Sequence, residues 1–207
     1  VTYTLVAERA SIAEWSTAFD ARGLGAWGNM NPPVGKLLIG LATATAKRPT
    51  DTIAYQWIWG QTAEWNASQG RLPPRHILLA ARRGIAIIGV LCLGLVYLIA
   101  VELVGARAIA WWAPLSLFAN PVFRAHSAMV YTNVPQLLFM LLSSWLCIRF
   151  LRHHRWRWLI GAMVAAGLAC AVKYNAVPLV VAAALVVPWA VSGIKRRLMA
   201  VALILAL

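Results

Sequence analysis

The chain has 207 residues, of which 61% are hydrophobic and 12% are charged, and its net charge is +13. Soluble domains have about half apolar and about a quarter charged residues, so this composition excludes an ordinary soluble domain. The basic residues lie mostly at the ends of hydrophobic segments. Membrane lipids and topology therefore explain the charge, and we expect no nucleic-acid partner.

Residues 1–83 are mixed in character and hold all but one of the acids. Within them, Asn31, Pro32 and Pro33 would stop a preceding helix and begin a short apolar stretch, 34–46. That stretch is too short to cross a bilayer comfortably, so it predicts a surface-lying or re-entrant helix. The aromatic residues in 51–65 favour anchoring in the headgroup layer, with a sugar-stacking platform as the alternative.

Residues 84–207 consist of closely spaced apolar segments that predict transmembrane helices. We place the spans at 84–104, 108–123, 130–151, 156–172, 176–194 and, truncated, 198–207. Short connections make neighbouring helices antiparallel. The predicted fold is all-α: a polytopic transmembrane helix bundle, with short surface-lying helices in the loop of residues 1–83.

The positions of the basic residues predict the orientation of this bundle. Because successive spans reverse direction, every second loop lies on the same side of the membrane. Three such loops carry eight bases, namely Arg107, Arg149, Arg152, Arg155, Arg157, Lys195, Arg196 and Arg197. The opposite short loops carry Arg124 and Lys173. The positive-inside rule puts the eight bases in the cytoplasm and residues 1–83 outside. We expect an integral, multi-pass protein of the bacterial cytoplasmic membrane.

Few residues inside the apolar region have ionisable side chains. The three cysteines lie within apolar segments without paired spacing, which predicts neither a disulfide framework nor a zinc site. We expect no metal site. Glu102 lies near the cytoplasmic end of the first span, where we expect it to pair with the nearby Arg107.

Polar side chains from three separate parts of the chain are predicted to meet at the outer surface. The set is Asn31, Pro32, Pro33, Lys36, Arg124, His126, Asn133, Lys173 and Tyr174. Cations at this level could hold a phosphate or pyrophosphate by charge-assisted hydrogen bonds. We therefore predict a substrate-binding site. The alternative is that Arg124 and Lys173 only extend to lipid headgroups.

The order of short motifs resembles a known family. The motifs are the segments 31–36 (Asn-Pro-Pro-Val-Gly-Lys), 125–127 (Ala-His-Ser), 131–135 (Tyr-Thr-Asn-Val-Pro) and 172–174 (Val-Lys-Tyr). Together they are similar to the protein O-mannosyltransferases and lipid A aminoarabinose transferases, over residues 30–189. The resemblance implies a GT-C-like fold. It also implies transfer of a sugar from a polyprenyl-phosphate carrier to a protein, lipid or glycan acceptor on the extracytoplasmic face.

The resemblance also assigns roles to residues. Lys173 would approach the lipid phosphate. The catalytic acid of the family would fall at or upstream of Val1, and we expect the chain to be a fragment that lacks it. Asn31 stands where the family usually has His or Lys, and Asn133 where it usually has Asp. An amide cannot act as a base. The resemblance implies a lipid-linked sugar donor; it is compatible with a divalent metal, but no residue pattern in the sequence supports one.

Two other functions remain open from the sequence. A transporter or flippase would need polar groups near the bilayer midplane and a discontinuous helix or an inverted repeat. A catalytically degenerate, transferase-like membrane scaffold is the other, and Asn133 favours it.

Overall fold

The computed structural model describes residues 33–44, 46, 62–69 and 74–186. In these ranges the regular structure is helical, without a strand. The helices are α1 (Val34–Ala44), α2 (Ala63–Ser68), α3 (Arg75–Val104), α4 (Arg107–Ala110), α5 (Trp112–Ala119), α6 (Pro121–Ala128), α7 (Asn133–His153), α8 (Trp156–Val172) and α9 (Val177–Val186), with a 3-10 turn at Tyr174–Ala176. Asn31, Pro32, the end of the fifth predicted span and the sixth span lie outside the described residues.

Two helices, α3 and α7, are long and apolar enough to cross a membrane. They have 30 and 21 residues, respectively. A rise of about 1.5 Å per residue makes them about 45 Å and about 31 Å long, against a hydrocarbon core of about 30 Å. The predicted all-α class is thus confirmed for the described residues, with two candidate spans. The full polytopic bundle stays a prediction.

The first long helix begins earlier than the sequence predicted. Pro74, in an extended conformation, precedes α3, which starts at Arg75 rather than at residue 84. The predicted division at 83/84 therefore falls inside one helix. At its other end α3 stops at Gly105, whose φ of 74° lies in the left-handed region that favours glycine.

The predicted single span over 108–123 is instead three short helices, α4, α5 and α6. The sharpest break is at Asn120, where ψ is 120°. The Asn120 side chain accepts hydrogen bonds from the backbone N–H groups of Val122 (2.9 Å) and Phe123 (3.3 Å). Pro121 follows at the first position of α6. An Asn cap followed by Pro starts a new helix, and Pro also disfavours helical backbone at the residue before it.

Glu102 joins the end of α3 to the end of α7. Its two carboxylate oxygens lie 2.7 Å from Arg149 Nη1 and 3.0 Å from Arg152 Nη1. The expected pairing of Glu102 with Arg107 is therefore wrong, since residues from the next long helix occupy both oxygens. Because the carboxyl-terminal ends of α3 and α7 meet, these helices run in the same direction. His154, with φ of 51°, then turns the chain back into α8.

The short helix predicted over 34–46 is present as α1, and it packs against α3. Gly84 of α3 touches Ala42 of α1 so closely that a Cβ on Gly84 would overlap the Cβ of Ala42. Near the start of α1, a Cβ on Gly35 would lie 2.7 Å from Thr132 Cγ2 and 3.1 Å from Val172 Cγ1. Small residues therefore bring α1 against α3, the start of α7 and the end of α8.

Two clusters of buried apolar side chains lie between the helices. One packs α7 on α8 near the His154 turn: Phe150, Leu159, Ala162 and Met163. The other joins α1, α3, α6 and α7: Ile39, Ala81, Ile85, Cys92, Phe123 and Val134. The second cluster fixes α6 and the start of α7 relative to α1.

We expect Gly84→Ala to destabilise the protein, because Ala42 is short and its Cβ cannot rotate away. Overpacking costs about 1–3 kcal/mol, and the gain in helix propensity returns about 1 kcal/mol. Gly94→Ala is the matched control, since it lies on the same helix with nothing within 4 Å of an added Cβ. Thermal unfolding in detergent should show a lower Tm for Gly84→Ala and an equal or higher Tm for Gly94→Ala. Equal shifts in both variants would contradict the α1–α3 contact.

Candidate functional site

Three chain segments bring polar side chains together at the end of the helices opposite Glu102. His126 lies on α6, Asn133 is the first residue of α7, and Lys173 follows the last residue of α8. Because α8 runs back along α7, its end returns to the level at which α7 begins. We call these three residues the polar triad.

The triad is joined by direct hydrogen bonds through the Asn133 amide. Lys173 Nζ donates to Asn133 Oδ1 at 2.8 Å, and Asn133 Nδ2 lies 3.1 Å from His126 Nδ1. A lysine ammonium can only donate, so the amide oxygen must face Lys173 and the amide NH2 must face His126. In this orientation of the amide, His126 Nδ1 is the acceptor of the hydrogen bond from Asn133 Nδ2.

Gln136 holds the backbone that carries Lys173. Its side chain is buried, and its Nε2 donates to the carbonyl oxygen of Lys173 at 3.2 Å and to Asn175 Oδ1. It lies one helical turn after Asn133. The sequence analysis missed Gln136, since it carries no charge. The available signal was a lone amide within an apolar run, three residues from Asn133 on the same helix face.

The start of α1 forms one wall beside the triad. Gly35 touches Thr132 and Val172, the residues directly before Asn133 and Lys173. The neighbouring Lys36 is only 2% exposed, and burial lowers its pKa from the ordinary value. The start of a helix carries a partial positive charge. The start of α1 and Lys173 therefore both contribute positive potential at this end of the bundle.

The other predicted site residues that the structure describes lie outside the polar triad. Arg124 is exposed on α6, two residues before His126, and residues two apart on a helix do not face each other. Tyr174 is 63% exposed beside Lys173, and Pro33 is exposed before α1. Tyr131, by contrast, packs edge-on against His126, with ring centres 5.7 Å apart.

The chemistry of the site follows from its side chains. The triad supplies an ammonium group, an amide and an imidazole, which together can bind an anion. Glu64 and Glu102 are the acids among the described residues, and Glu102 lies at the opposite end. Asn133 cannot take a proton as a carboxylate would. In the ranges that the structure covers, no three His, Cys, Asp or Glu side chains are grouped to hold a metal ion.

Comparison with known proteins gives one family match. A family model described as dolichyl-phosphate-mannose-protein mannosyltransferase matches residues 77–207. The matched region includes the whole polar triad. Neither the search of curated proteins nor the search of solved structures found a match.

We expect Gln136→Leu to loosen the turn that carries Lys173. The change leaves the Lys173 carbonyl and the Asn175 side chain without this donor, at a cost of about 1–3 kcal/mol. Hydrogen–deuterium exchange across 173–176 should become roughly tenfold faster. Ser144→Ala is the control, because that hydroxyl on α7 donates to the Met140 carbonyl of its own helix and not to the turn. Unchanged exchange in Gln136→Leu would show that Gln136 does not hold the turn.

Proposed function

This chain belongs to the dolichyl-phosphate-mannose-protein mannosyltransferase family, and we propose that it transfers a sugar from a polyprenyl-phosphate carrier to a protein, lipid or glycan acceptor. The family consists of membrane glycosyltransferases of the GT-C type. Mannose is the sugar that the family description favours. The transfer takes place, in this proposal, on the extracytoplasmic face.

The observation that carries the proposal is the position of Lys173. Its ammonium group is held 2.8 Å from the Asn133 amide oxygen, next to the start of α1 and the buried Lys36. When a sugar leaves its carrier, the bond from the anomeric carbon to the phosphate oxygen breaks, and negative charge grows on the phosphate. A fixed cation and a helix start at that point stabilise the leaving phosphate.

The other two triad members hold Lys173 in position and do not take over its role. Asn133 accepts from Lys173 without cancelling its charge, since an amide is neutral. His126 and Gln136 fix the amide and the Lys173 backbone, respectively. A hydroxyl acceptor still needs a base to remove its proton as the new bond to the anomeric carbon forms. The acid that the family resemblance implies for this step is not among the described residues around the triad.

The charge distribution supports the extracytoplasmic assignment. Arg149, Arg152, Arg155 and Arg157 lie at the opposite end, around the turn between α7 and α8. The positive-inside rule assigns such an end to the cytoplasm. The polar triad then faces outward, where an acceptor that has crossed the membrane is available.

We expect Lys173→Ala to lower sugar transfer about 100-fold or more, because the leaving phosphate loses a preorganised cation. Lys173→Arg should retain part of the activity. The measurement is transfer by the full-length protein from polyprenyl-phosphate mannose to a panel of acceptors. Arg107→Ala, which removes an exposed cation near the opposite end, is the matched control and should transfer normally. Normal transfer by a well-folded Lys173→Ala variant would exclude this role for Lys173.

Asn133→Asp distinguishes an active, divergent transferase from a degenerate scaffold. In an active enzyme we expect transfer to fall about tenfold, because the carboxylate neutralises Lys173 and cannot donate to His126. Asn133→Ser, which lacks the negative charge, serves as the comparison. An inactive wild type that gains transfer on Asn133→Asp would instead identify the chain as a degenerate relative.

A further inference from the structure

The helices on either side of the α7–α8 turn carry buried hydrogen-bond donors that the described residues do not satisfy. They are Trp145 Nε1, Arg149 Nε and Trp158 Nε1. Buried polar atoms without partners are rare and costly, so a group of three requires an explanation. The cluster is far from the polar triad, at the end of the helices that carries Glu102.

The three donors belong to one compact group of side chains. The guanidinium carbon of Arg149 lies 5.7 Å from the ring centre of Trp145 and 5.0 Å from that of Trp158. The two indole rings are 6.2 Å apart and nearly perpendicular, at 68°. Trp145 and Arg149 are one turn apart on α7, and Trp158 comes from the first turn of α8. The three unsatisfied donors thus belong to side chains that contact one another.

Among the described residues, positive charge at the cluster exceeds negative charge. Glu102 binds Arg149 and Arg152, but Arg157 also lies over the Trp158 ring, at 4.9 Å. Arg155 precedes α8, and no side chain caps the first turn of that 17-residue helix. The start of α8 thus adds its own partial positive charge. A single carboxylate cannot balance four arginines and a helix start.

We propose that this cluster binds a phosphate group, supplied by the headgroup of an anionic membrane phospholipid. Arginine matches phosphate geometry, and a phosphate has enough oxygens to accept from a guanidinium and from indole N–H groups together. Basic pockets between transmembrane helices on the cytoplasmic side bind lipid headgroups in this way. The site does not depend on the transfer reaction, because it lies at the opposite end of the helices.

The surface beside the cluster favours a lipid over a soluble phosphate. Arg157, Ile160 and Val164 lie on one face of α8, because they are spaced by three and four residues. All three are exposed, with Ile160 at 50% and Val164 at 51%. A cation at the helix start, followed by exposed apolar side chains one and two turns further, fits a headgroup and the beginning of an acyl chain. Simple positive-inside charge would need neither the tryptophan donors nor this alignment.

The test compares phospholipid binding by matched variants of the full-length protein in phosphatidylcholine nanodiscs. Phosphatidylglycerol is titrated in, bound lipid is counted by native mass spectrometry, and inorganic phosphate is titrated separately. In the double variant Trp145→Phe/Trp158→Phe the rings remain but both N–H donors are lost. We expect saturable phosphatidylglycerol binding in the wild type and roughly tenfold weaker binding in the double variant. Trp112→Phe, at a tryptophan that is 71% exposed, is the control and should bind normally.

A second variant covers the case in which the double variant does not fold. Arg157→Gln changes one exposed side chain and should weaken phosphatidylglycerol binding severalfold, while Arg107→Gln should not. Equal affinity in wild type and in either cluster variant, or binding without saturation, would overturn the proposal. Tight binding of inorganic phosphate that blocks phosphatidylglycerol and depends on the same residues would overturn the lipid as the source.

Discussion

The hydrogen bond from Lys173 to Asn133 joins the end of one helix to the beginning of the one before it. It can form because α7 and α8 have similar lengths, 21 and 17 residues, so that α8 returns to the level of Asn133 after a tight turn. The short residues of α8 that face inward let the pair lie close together. The position of the candidate site is thus set by the lengths of two helices and by the His154 turn.

The two ends of the helices differ in how their basic side chains are held. At the turn between α7 and α8, Glu102 partly neutralises a group of arginines and fixes α3 parallel to α7. At the other end, Lys173 is held by the neutral amide of Asn133, and the described residues there include no acid. A cation such as Lys173, held by a neutral amide, remains able to attract an anionic group. This difference separates a structural ion pair from a binding site.

The sequence predicted that His126, Asn133 and Lys173 would lie on the same side of the membrane. Neighbouring spans with short connections are antiparallel, and this strongly restricts which loops lie on the same side. It did not predict the geometry of 107–128, where Asn120 and Pro121 interrupt an apolar run that hydropathy alone treats as continuous. It assigned Glu102 to Arg107 because that arginine is near in sequence, whereas helix packing brings Arg149 closer. Arg124 and His126 were predicted to belong to one site, but residues two apart on a helix do not face each other. No motif marks Gln136, since its role depends on a backbone carbonyl 37 residues away.

The contact of α1 with α3 affects where the boundaries of a recombinant, truncated protein should be placed. The family match begins at residue 77, two residues after the start of α3. An expression boundary drawn there would shorten α3 and delete α1, and with it Gly35 and Lys36, which form a wall of the polar triad. Such a truncated protein would expose the face of α3 around Gly84 and Ile85 to detergent. Boundaries intended to preserve the site should therefore keep the residues from Pro33 onward, although they precede the region by which the family is recognised.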